Sequence, residues 1–223
     1  MEETRRFLRY LLPGLVYGTQ TVLSLSLVLP TWTLGQLSQV GAKDSLGIII
    51  AGIFGSGALG YFFATVHHWL NWTCEQRILD HSPIVNRLQQ RGLISNRGDN
   101  RQAAEVISFA LWYTQLGAGR PIGEIVDRKL TALGDRAHGL GATRVGAVFA
   151  LATTLLFCIV VGSFQYAIEP VLRFVLMLLL NLFTIFVFQN GYLRVSAVAQ
   201  GIYDNILENA LATQGKDSVD AQV

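Results

Sequence analysis

The four histidines of the chain, His67, His68, His81 and His138, lie at or after the end of the second apolar stretch, near Cys74, Glu75, Asp80 and Asp135. Imidazoles and a carboxylate drawn together could hold a transition metal, and a membrane-interface enzyme acting on lipid would follow, with His67, His68, Asp80, His81 and His138 as its ligand set. The spacing argues against that reading. There is no His-Glu-x-x-His, no pair of histidines four apart on a helix, and no Glu-x-x-His of the di-iron type. The two cysteines, Cys74 and Cys158, form no Cys-x-x-Cys, so neither a disulfide nor a structural zinc site is expected.

Other catalytic signatures are missing as well. No serine sits in a Gly-x-Ser-x-Gly elbow, and no phosphate-binding loop or dinucleotide fingerprint precedes a helix. The glycine-rich run from Gly52 through Ser56 to Gly57 falls inside an apolar stretch, where helix packing explains it better than phosphate binding. The expectation is a protein without cofactor and without catalytic residues.

A second constellation is basic. Ten of the 17 Lys and Arg lie between residues 71 and 144, against seven acidic residues in the same stretch. Arg77, Arg87, Arg91, Arg97 and Arg101 form its first patch. Guanidinium groups so placed could dock a protein partner or an anionic ligand, and nucleic acid is a weaker reading of the same charge. The plainer reading is retention on the cytoplasmic side plus attraction to anionic lipid, about 1 kcal/mol per basic residue near the surface. A helix-turn-helix over residues 84–116 has too long a turn to be convincing.

The elements that must position these residues are membrane helices. With 51% apolar and only 14% charged residues, the chain is too apolar for an ordinary soluble domain. Runs of about 18 or more apolar residues are long enough to cross hydrocarbon as helices. Four such runs occur, near 8–29, 46–70, 145–164 and 171–193. The first exceeds a signal-peptide core and has no Ala-x-Ala site after it, so it is expected to remain as a span.

The fold class is therefore an all-α integral membrane protein, with four transmembrane helices and a small helical cytosolic insert between spans two and three. Residues 1–70 form a first hairpin, 71–144 the insert, 145–193 a second hairpin, and 194–223 an amphipathic helix with a disordered tail from Thr213. Lys and Arg concentrate in the insert and near both chain ends, which predicts an inner-membrane protein with both termini cytoplasmic. Within the insert a helix is predicted to begin at Pro121 and either to run through Gly139 and Gly141 into span three or, as two glycines favour, to kink or break there.

Inside the spans two patterns stand out. Tyr17, Gln20, Thr21 and Ser24 share one face of span one, which reads as hydrogen bonding between helices or, alternatively, as a water-lined path; Asn181 and Thr184 of span four are open to the same two readings. Small residues recur every fourth position in span two (Gly52, Ser56, Gly60, Ala64) and in span three (Gly146, Ala150, Thr154, Cys158, Gly162). Such ladders let backbones approach closely, and they predict contact between spans two and three or between copies in a homo-oligomer. A four-residue ladder drifts about 40° per step on a helix of 3.6 residues per turn, so full-length contact requires crossed helices.

In outline the chain resembles small bacterial membrane subunits that work with cytosolic partners in stress or antiviral systems. The two small-residue ladders, the polar stripe of span one and the absence of a catalytic constellation predict a homo-oligomer in the bilayer that acts as anchor, sensor or pore and docks a cytosolic protein partner.

Overall fold

The computed structural model describes residues 7–30, 33, 35, 42–73, 86, 89–90, 121–161 and 168–220, and every element among them is helical. A single turn of π-helix, Phe7–Leu11, leads into α1, Leu12–Val28. Helix α2 runs Ala42–Thr73, α3 Pro121–Val161 and α4 Ile168–Asp220. The chain divides into two compact units, Met1–Gln76 with Asp135–Leu193, and Arg77–Gly134 with Arg194–Val223. The second unit contains the first turns of α3 and the last turns of α4, where Ser196, Ala199 and Tyr203 are buried at helical spacing.

Each of the four helices contains a segment able to cross a bilayer: Arg9–Val28, Ile50–Asn71, Arg128–Val160 and Pro170–Ile206, with mean hydropathies of 1.4, 1.3, 1.9 and 2.5. The first unit is turned inside out relative to a water-soluble domain. Phe54, Ile159, Val160, Phe183 and Phe186 are exposed, whereas Gln20, Ser24, Thr154 and Asn181 are buried. Lipid solvates the apolar exterior without cost, and polar side chains turn inward because hydrocarbon offers them no hydrogen-bond partner.

The core of this unit is a cluster of rings around Phe63, which is 1% exposed. Tyr17 of α1 lies 5.2 Å from it and Phe149 of α3 5.4 Å, centroid to centroid. Glycines bring the helices close enough for these contacts. A Cβ on Gly14 would overlap the Ser56 backbone, and one on Gly60 would overlap the Tyr10 carbonyl. On α3, a Cβ at Gly146 would sit 2.8 Å from the Pro13 carbonyl oxygen and 3.2 Å from the Phe63 ring.

These close approaches correct the expected partner of the span-two ladder. Ser56 and Gly60 receive span one, and Gly146 of the span-three ladder also meets span one as well as Phe63. Gly52, the next rung, has nothing within 4 Å of its Cβ position. Gly52 lies instead in the groove that opens between α1 and α2 beyond Ser56.

One open expectation is decided and another changes. Helix α3 continues through Gly139 and Gly141 without a break, because the bare Cα of Gly141 accommodates the His67 ring of α2. Helix α4 continues to Asp220, past the polar composition that predicts disorder from Thr213. The segment Leu207-Glu208-Asn209-Ala210-Leu211-Ala212 is rich in strong helix formers and supplies no stop signal.

Candidate functional site

The polar stripe of α1 ends in a hydrogen-bonded node deep in the first unit, in which Gln20 Oε1 is buried without a partner among the described residues. Gln20 Nε2 donates to Asn181 Oδ1 at 2.9 Å, and Asn181 Nδ2 donates to Ser24 Oγ and to the Met177 carbonyl, both at 2.8 Å. Asn181 is fully buried, Ser24 likewise, and Gln20 is 5% exposed. The other two members of the stripe behave differently. The Tyr17 hydroxyl lies 3.3 Å from that of Thr153, and Thr21 Oγ1 is buried without a partner among the described residues. Thr154 and Thr184 bond the carbonyls one turn back on their own helices, Ala150 and Leu180.

A second polar cluster occupies the level where α2 finishes and the apolar run of α3 begins. Tyr192 donates its hydroxyl to Asn71 Oδ1 at 3.3 Å, and Asn71 Nδ2 lies 3.1 Å from His67 Nε2. Because an amide N–H can only donate, Nε2 accepts and the ring proton sits on Nδ1, which is buried with no partner among the described residues. The His67 ring stands perpendicular to Tyr192 at 5.3 Å and at 77° to His138 at 5.8 Å. His68, which is exposed, places its ring 5.9 Å from the same His138.

Arg144 completes this cluster. Its guanidinium lies over the Tyr192 ring, 5.3 Å from the centroid, and its Nη1 donates to Gln189 Oε1. At the neighbouring start of α1, Arg9 meets Asp135 of α3 at 3.4 Å, with both side chains partly open to solvent. A long ion pair of this kind contributes no more than about 1 kcal/mol.

No family model, no curated protein and no solved structure matches the chain.

The chemistry of the two clusters differs in kind. The deep node is neutral and held by short hydrogen bonds; the outer cluster carries a permanent cation and three imidazoles. Of the residues singled out for a metal, the fold brings His67, His68 and His138 together, while Asp80 and His81 lie outside the described residues. Among the described residues no three His, Cys, Asp or Glu side chains form a group able to hold a metal ion. Arg77, Arg87, Arg91, Arg97 and Arg101, the anionic-ligand patch of the insert, also lie outside them.

Sequence reasoning missed the outer cluster as a unit. Asn71, Arg144, Gln189 and Tyr192 each stand near the end of an apolar run. That common level was the available signal, but the facing of three separate helices is not contained in it.

Proposed function

We propose that the chain is a non-enzymatic, homo-oligomeric inner-membrane protein whose basic cytosolic segment, residues 71–144, docks a protein partner or receives a signal, with the helical bundle as its anchor. One observation carries the reading. The polar stripe of α1, the feature of the spans most suited to lining a conducting path, is consumed at Gln20 and Ser24 by Asn181. A stripe whose Gln20 and Ser24 are bonded to another helix in this way suits an anchor or sensor better than a pore through a single chain. The lipid-facing groove between α1 and α2, about 550 Å³ and lined in part by Gly18, Thr19 and Gly52, supports self-association, since a second helix can approach closely there.

The test is co-purification from native membranes with the wild-type chain and with Arg87→Glu and Arg97→Glu. A stoichiometric soluble partner that is lost with the charge reversals supports docking. A wild-type chain that purifies alone, and catalyses ion flux in liposomes that Gln20→Leu alters, would replace the anchor by a pore.

A second reading rests on the gathering of His67, His68 and His138 rings within 6 Å of one another in two pairs, which favours a metal-dependent enzyme acting on lipid at the interface. Metal analysis on purified protein decides it: stoichiometric metal lost with His67→Ala and His68→Ala supports the enzyme, and metal-free wild type removes it.

A further inference from the structure

Arg144 is half-buried at the end of an apolar run, and its charge has no carboxylate beside it among the described residues. Its interactions there are with neutral groups, the Gln189 amide oxygen and the Tyr192 ring. A guanidinium has five N–H donors in a planar fork, and the amide uses one of them. Withdrawing a cation from water without a counter-ion is costly, and the cost falls when an anion approaches.

Among the described residues the neighbourhood adds no negative charge. Asn71 is neutral, and His67, His68 and His138 can only add positive charge. Asp135 lies nine residues back along α3, about 13 Å at 1.5 Å per residue, and meets Arg9. The apolar runs read from the sequence, 46–70, 145–164 and 171–193, each have one end at this level, next to His67 to Asn71, at Arg144 and at Gln189 to Tyr192, although the helical segments apolar enough to span continue past it on α3 and α4. In a bilayer that level is the headgroup layer, where phosphate is the abundant anion, and basic pockets between transmembrane helices hold anionic headgroups.

We propose that Arg144, steadied by Gln189 and Tyr192, binds an anionic phosphate group at the rim of the bundle. The phosphate comes either from an anionic phospholipid of the surrounding leaflet or from a soluble phosphorylated molecule. This site is separate from the arginines of the insert and stands whether or not they dock a partner.

The experiment follows thermal unfolding of the purified full chain in neutral detergent, with short-chain phosphatidylglycerol, short-chain phosphatidylcholine or inorganic phosphate added. Phosphatidylglycerol should raise the wild-type midpoint by roughly 4 °C or more relative to phosphatidylcholine at saturating ligand. Arg144→Gln should lose that increment while responding normally to phosphatidylcholine, and Arg144→Lys should keep part of it, since a point charge replaces the fork. A rise with inorganic phosphate that likewise depends on Arg144 supports a soluble ligand; a rise confined to phosphatidylglycerol supports the lipid. Wild type that responds equally to both lipids and not to phosphate overturns the proposal without any variant. So does Arg144→Gln that keeps the full increment, which would assign the effect to other basic residues.

Discussion

At the level of Asn181 the polar side chains of the bundle are neutral and turned on one another. About 12 Å further along α4, eight residues at 1.5 Å each, Gln189 and Tyr192 meet an arginine and the histidines of α2 and α3. The difference follows from depth. Among apolar surroundings an amide finds partners only on its own helix backbone or on another helix, so Asn181 bonds the Met177 carbonyl as well as Gln20 and Ser24. Near the headgroups water and anions are within reach, and charge can be kept in reserve. The deep node therefore holds the fold, and the outer cluster is the level at which the bundle can respond to its surroundings.

Three substitutions would break or sharpen that contrast. The largest effect is expected from Asn181→Leu, which removes the partner of two buried side chains at once and should destabilise the bundle by roughly 2–3 kcal/mol. Unfolding in a denaturing-detergent titration measures it, and a double cycle with Gln20→Leu should return a coupling of about 0.6–1.7 kcal/mol. Zero coupling would mean that the node is no bond between helices.

A smaller loss, about 1–2 kcal/mol, is expected from Gly141→Ala. Its new methyl group would occupy the position of the His67 ring and force the imidazole off Asn71. Because Ala is the better helix former by about 1 kcal/mol, a net gain in stability would show that the ring moves aside freely. The smallest change belongs to Arg144→Met in zwitterionic detergent, within about 1 kcal/mol of wild type, since relief of a desolvated charge offsets the lost ring and amide contacts. A large loss there would make Arg144 a structural pin and erase the distinction between the two levels.

Much of the fold was legible in the sequence because crossing a bilayer sets a length, and apolar runs of that length are easily found. Helix faces were legible too: Gln20 and Ser24 share a face by spacing alone, and Asn181 was a named candidate for binding between helices. The partner of each face was not. Spacing states that Ser56 and Gly60 are neighbours on one side of α2, but which backbone fills the hollow depends on how four helices are arranged. Gly52 continues the pattern in sequence but lies where α1 and α2 leave a groove between them. The continuity of α3 was left undecided by the sequence for a related reason: Gly139 and Gly141 favour a break until the His67 ring is seen lying against Gly141. Arg144 reads from sequence as one basic residue among many, and only its neutral neighbours set it apart.

The contacts of Gly14 with Ser56 and of Gly60 with Tyr10 have a mechanical corollary. Four residues back along α1 correspond to four forward along α2, so two close approaches, a turn apart, share one axial offset. A slide of less than a turn would drive a bulkier residue into a space sized for hydrogen, whereas a full turn would bring Gly18 or Gly52 into the same hollows. Displacement between the two helices is therefore expected in whole-turn steps, with tilt or rotation of the pair as the smaller movements.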